Sequence, residues 1–181
     1  MEQFKKYGML TVETIVAILL ILWCLDAFGV RSPMFAFLLN WIAMSWVAFT
    51  GQSIHFSLPS SYYEIKPFEH NGESYVRLGI LVFKNLVRRG PLAMFSPTLR
   101  FPKVKTTFAL QQLDAEMRKA EAGHVIIFMM VLVVAIYALL QGWLDAVGWM
   151  LAFNIVINGY PIMLQRYNRI KLQQLIHSHA F

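Results

Sequence analysis

Three uncharged apolar runs, residues 33–54, 125–144 and 146–164, dominate this chain. Each is long enough to cross the hydrocarbon core of a bilayer, which takes ~20 residues of helix. Inside that core every backbone N–H and C=O must be bonded within the segment, so such runs can only be helices. A fourth run, residues 10–30, has Glu13 and Asp26 bracketing a shorter uncharged stretch. It reads as a span rather than a re-entrant segment, because the two acids fall near its ends, where charges reach the interface. No small-x-small cleavage site follows it and more spans do, so it is not read as a leader.

Composition agrees. Of 181 residues, 57% are hydrophobic and 14% charged, against roughly 25% charged in an average soluble domain. The expectation is an all-α integral membrane protein of one domain, with four transmembrane helices in two hairpins. Residues 1–54 form the first hairpin, 55–123 a polar insert, and 124–181 the second hairpin and tail. Cys24 lies inside an apolar run and is read as a small buried hydrophobe.

Charge distribution orients the chain. Lys5 and Lys6 precede the first span, ten Lys and Arg lie in the insert, and Arg166, Arg169 and Lys171 follow the last span. Arg31 stands alone on the other side. The positive-inside rule therefore places both termini and the insert in the cytoplasm of a multi-pass cell-membrane protein. The net charge of +6 is read as orientation signal and contact with anionic lipid, not as a nucleic-acid footprint.

The insert reads as structured. Asn71-Gly72, between strand-like residues 62–66 and 74–78, predicts a small β-hairpin. "LGILVFKNLVRRG" predicts a short interfacial helix. "SPTLRFPKVK" predicts an extended loop, and residues 108–124 a helix running on into the third span.

If the last two spans pair antiparallel, Glu121, His124 and the stretch "QRYNR" (residues 165–169) come to one depth at the cytoplasmic surface. Glu121 and His124 are three apart and share a helix face, and Glu116 extends the stripe. A carboxylate beside an imidazole suits general-base work; the same pair also suits a plain interfacial anchor. Metal-binding Glu-x-x-His motifs come in pairs, and this chain has one, so no metal is expected. Asn154, Asn158, Gln165 and Arg169 recur on one face of the last helix, either as interhelical hydrogen-bonding groups or as the lining of a polar pocket. Arg166 and Arg169 suit phosphate or simple anchoring. Arg88, Arg89, Arg100, Lys103 and Lys105 suit a nucleotide diphosphate tail or anionic lipid. His55, His70, His177 and His179 are read as surface residues.

At these motifs the chain resembles the glycosyl-4,4'-diaponeurosporenoate acyltransferase family of carotenoid glycolipid biosynthesis. The resemblance is carried by "QRYNRIKL" with Asn158 seven residues before Gln165, by "EMRKAEAGH" with the apolar run after it, and by "FEHNGESYVRLGILVFKNLVRRG". Ile170 and Glu73 depart from the family's usual Pro and Lys. The resemblance implies O-acyl transfer to a sugar hydroxyl of a membrane lipid such as a glycosylated carotenoid. Acyl-CoA would be co-substrate, and no resident cofactor is involved. His124 would be the base, with Glu121 or Glu116 orienting it. Asn158, Gln165 or Asn168 would face the developing oxyanion. Arg166 and Arg169 would hold the donor's phosphates, with Tyr167 beside them. The competing readings are a non-catalytic lipid or pigment carrier, and a transferase with a phospholipid donor.

Overall fold

A computed structural model describes residues 2–54, 56–89 and 106–179. Its helices are α1 (Glu2–Phe28), α2 (Pro33–Thr50), α3 (Ser60–Tyr63), α4 (Glu73–Arg77), α5 (Ile80–Arg89), α6 (Thr107–Leu140), α7 (Leu144–Asn154) and α8 (Tyr160–His179). A 3-10 turn, Pro67–Gly72, precedes α4, and a π segment, Ile155–Gly159, joins α7 to α8. Among the described residues four stretches are long and apolar enough to cross a membrane: Gln3–Phe28, Pro33–Thr50, Phe108–Leu140 and Leu144–Ile176. The bracketed first segment is thus one continuous helix. It begins far enough upstream that Glu13 stands well inside it rather than at its end.

The chain divides into two compact units, Met1–Phe56 with Gly123–Gly159, and Ser57–Ala122 with Tyr160–Phe181. In the first unit, Phe35, Ala36, Leu39, Ala43 and Val47 of α2 pack with Ile127, Val131, Ala135 and Ala138 of α6 and with Ala146 and Met150 of α7. Both series recur every three or four residues, which is one helix face. Many are small, so backbones approach closely, the usual basis of helix association in lipid. A Cβ on Gly123 would lie only 3.2 Å from Val47 Cγ1. The links between helices are short. Ser32 caps α2 by accepting from Met34 N, and Pro33 takes the first helical position. Arg31 Nε meets Asp145 Oδ2 at 2.9 Å, so the α1–α2 and α6–α7 links lie at one end of this unit.

In the second unit, Tyr75 and Ile80 pack with Leu164 and Ile170 of α8. Leu110 and Met117 of α6 pack with Leu172. The helix expected in "LGILVFKNLVRRG" forms over Ile80–Arg89, and the one expected over residues 108–124 forms inside the longer α6.

The expected β-hairpin does not form: among the described residues there is no strand. Asn71 and Gly72 do take the left-handed conformation that their sequence signals, at φ 56° and 90°, but helical turns flank them. Local side chains close those turns. Glu69 accepts from Lys66 N and from the Tyr75 hydroxyl, and Ser74 Oγ bonds Phe68 O. Side-chain-to-backbone bonds of this kind compete directly with a strand ladder. The "SPTLRFPKVK" loop, with Arg100, Lys103 and Lys105, lies outside the described residues, as do His55 and the side chains of His70, His177 and His179.

The π segment has a visible cause. Pro161 has no N–H to give Ile157 O, and its ring crowds that carbonyl, so the preceding turn widens. The wide turn keeps Asn154 and Asn158 pointing to the same side, both fully buried.

Candidate functional site

Four polar side chains meet inside the first unit. His124 Nδ1 stands 3.1 Å from Asn158 Oδ1. Asn158 Nδ2 donates to Asn40 Oδ1 at 2.8 Å and to Asn154 Oδ1 at 2.9 Å. Asn40 Nδ2 donates to Ala36 O, and Asn154 Nδ2 to Phe128 O, each at 2.9 Å. The direction of every bond follows from those two backbone carbonyls, which can only accept. They turn the Asn40 and Asn154 oxygens toward Asn158, so Asn158 must present its NH2 to both. Its oxygen is then left for His124. His124 must therefore donate from Nδ1, and its Nε2 carries a lone pair. The relay sets the histidine tautomer that a general base requires.

A second cluster lies within the other unit. Arg166 grips Glu69 with two parallel bonds, Nε to Oε1 at 2.7 Å and Nη2 to Oε2 at 2.9 Å. Its remaining N–H groups reach Tyr62 O, Glu121 Oε1 and Glu64 O. Arg169 reaches Glu121 Oε2 at 3.0 Å, Tyr63 O at 2.9 Å and Asp114 Oδ1 at 3.3 Å. Arg118 closes the set on Asp114 Oδ2 at 2.6 Å. Guanidinium groups lie over the rings of Tyr62 and Tyr63, 5.2 Å and 5.0 Å from the centroids for Arg166 and Arg169. Three arginines thus face three carboxylates, and Glu69 and Glu121 are completely buried. Burial alone would raise the Glu69 carboxyl. The Arg166 guanidinium, the Tyr75 hydroxyl and the Lys66 N–H overcome that and hold it at about 2. Burial and the Glu121 carboxylate push the Tyr62 phenol up to about 12.

These partners differ from the sequence expectations. Both oxygens of Glu121 face arginines, and the partner of His124 Nδ1 is an amide. Glu116 is exposed. Arg166 and Arg169 are bonded to protein carboxylates and carbonyls. Gln165 and Asn168 are buried. Asn168 Oδ1 accepts from Lys84 Nζ at 2.8 Å, and its Nδ2 has no hydrogen-bond partner among the described residues. Burial lowers the Lys84 ammonium, and Arg88 adds to that effect. The ammonium groups of Lys84 and Lys171 lie over the Tyr167 ring, 5.3 Å and 5.8 Å from its centroid. Among the described residues no group of three or more His, Cys, Asp or Glu is placed to hold a metal ion.

Asn40, Glu69 and Asp114 were not singled out by sequence. Asn40 carries a usable signal, an amide in the middle of an apolar run. Glu69 and Asp114 look like ordinary surface acids until folding brings α8 to them.

Compared with known families, residues 59–178 match the family model described as glycosyl-4,4'-diaponeurosporenoate acyltransferase. No curated protein and no solved structure matches the chain.

Proposed function

Because the chain belongs to the glycosyl-4,4'-diaponeurosporenoate acyltransferase family, we propose that it moves a fatty acyl group from acyl-CoA to a sugar hydroxyl of a glycosylated carotenoid, with His124 as general base. The observation that carries this reading is the lone pair that the amide relay leaves on His124 Nε2. Nε2 takes the proton of the acceptor hydroxyl, whose oxygen attacks the thioester carbonyl. The tetrahedral oxyanion collapses, the C–S bond breaks, and the coenzyme A thiolate recovers the proton from the imidazolium. No covalent enzyme intermediate is required. Asn158 touches neither substrate: it is a positioning residue that holds the tautomer and accepts from the imidazolium through Nδ1.

In this reading the arginines of "QRYNR" are structural. Donor phosphates fall instead to cations without a carboxylate partner among the described residues, such as the half-buried Lys84 with Arg88. The excess of Lys and Arg in the insert and both tails supports a cytoplasmic site and termini. The amphipathic α5, ending in Arg88 and Arg89, suits a membrane interface.

The test is thiol release from long-chain acyl-CoA by the purified protein in detergent, with glycosylated carotenoid as acceptor. Acceptor-dependent release should fall by ~10²-fold or more in His124→Ala. Unchanged release would remove His124 from the chemistry. No release at all, with pigment still bound, would favour a carrier. Acylated acceptor formed with a lysophospholipid, and no thiol, as the by-product would change the donor.

A further inference from the structure

The α1–α2 hairpin precedes the family match, yet it carries an open groove of about 400 Å³. That is within the ~300–1,000 Å³ typical of small-molecule sites. Glu13 and Ala17 of α1 line one wall, and Trp41, Ser45, Trp46 and Phe49 of α2 the other. Trp46 Nε1 donates to Thr14 Oγ1 at 3.1 Å and so ties the two helices together beside Glu13. Two polar atoms in the groove are left over. Glu13 Oε2 and Trp41 Nε1 are both buried, and neither has a hydrogen-bond partner among the described residues.

A carboxyl inside a membrane helix is expensive, and a buried indole N–H normally finds an acceptor. Their joint presence in one groove asks for a ligand that offers a donor to Glu13 and an acceptor to Trp41, on an otherwise apolar body. Resting on the acyl-transfer reading above, we propose that this groove holds the acceptor glycolipid, its polyene along the aromatic wall, a sugar hydroxyl donating to Glu13 and a glycosidic or ester oxygen accepting from Trp41. The acyl chain of the donor fits less well, because it offers no donor to Glu13 and no acceptor to Trp41. Three aromatic rings also match a flat conjugated chain better than a saturated one. The location is apt. Asn40, the neighbour of Trp41 on α2, belongs to the His124 relay, so this helix has the relay on one face and the groove about 100° around it.

The test is binding, read without acyl-CoA, by quenching of tryptophan fluorescence as a carotenoid glucoside is titrated into the full-length protein in detergent. Glu13→Gln keeps the shape and should weaken glucoside binding about fivefold, the loss of one hydrogen bond. The sugar-free carotenoid should bind both proteins equally. Ala17→Trp fills the groove and should weaken both ligands at least tenfold. Glucoside binding at wild-type strength in both variants overturns the proposal. So does native mass spectrometry in which Ala17→Trp loses only a phospholipid or a second copy of the chain. A wild type that binds glucoside but never releases thiol overturns acyl transfer alone. A wild type that turns over, with the acceptor KM unmoved in both variants, overturns the groove alone.

Discussion

His124 Nδ1 and Asn158 Oδ1 face each other at 3.1 Å, and the Asn158 NH2 is fully taken by two other asparagines. The imidazole is therefore oriented by a neutral amide rather than by a carboxylate. This arrangement fixes the tautomer without adding charge to a low-dielectric surrounding.

Replacing Asn158 should affect the chemistry through His124. Asn158→Ala frees the ring to choose either tautomer and should lower kcat by ~10²-fold, with the donor KM within about twofold of wild type. Asn158→Asp puts a negative charge beside Nδ1, which favours imidazolium and keeps the base protonated to higher pH. The acid limb of the pH–rate profile should move upward. A profile that stays in place would show that Asn158 does not act through the histidine.

The Arg166–Glu69 fork should matter for folding. Removing one partner strands a buried charge, which costs about 3–5 kcal/mol. Arg166→Ala or Glu69→Ala should lower thermal stability in detergent far more than Arg31→Ala, whose exposed pair with Asp145 is worth ~0–1 kcal/mol. Arg166→Lys should not rescue, because an ammonium cannot reproduce two parallel bonds. If Arg166→Ala unfolds at the wild-type temperature and loses only affinity for donor, the structural assignment is wrong.

Acid should loosen the same cluster. Glu69 sits at about 2, below its ordinary 4.5. A depressed carboxyl contributes stability that is complete above the unfolded value and disappears as pH falls through the folded one. Its contribution should be constant above pH 5 and decline between about 4.5 and 2. Unfolding followed across that window should show a shallower slope in Glu69→Gln.

Gly72 is doubly constrained. Its φ is 90°, and a Cβ there would lie 2.8 Å from Tyr167 Cδ2. Gly72→Ala should destabilise by ~1–3 kcal/mol from backbone strain alone, with the ring contact adding to it. Tyr167→Leu should recover part of the loss in the double variant and none of the φ strain, which thermal melts of the four proteins in the cycle would separate.

The spans were legible because length without charge is a local property, and residues 33–54 leave no other structure for their backbone groups. Asn154 and Asn158 were also legible as a pair needing partners, since they share a face. Their partners were not: whether Asn158 meets His124, a carboxylate or Asn40 depends on how three helices are rotated, and no spacing encodes that. The partner of Arg166 was not legible for a similar reason. An arginine at the end of an apolar run looks like an anchor or a phosphate ligand, and the acid that binds it, Glu69, is far away in sequence. At Asn71-Gly72 the left-handed backbone was readable, while the flanking strands were overruled by Glu69 and Ser74 bonding their own loop.

The π turn at Ile155–Gly159 has a consequence for which changes this helix can survive. A π turn is an α turn carrying one inserted residue. Ile155 and Val156 point outward, 46% and 53% exposed, so exchanging either for another apolar residue should leave the protein unharmed. Deleting one of them should not, because it cuts the Asn154–Asn158 spacing from four residues to three and alters the turn that holds both amides on one side. At these positions the identity of the side chain is nearly free, and what must be preserved is the number of residues.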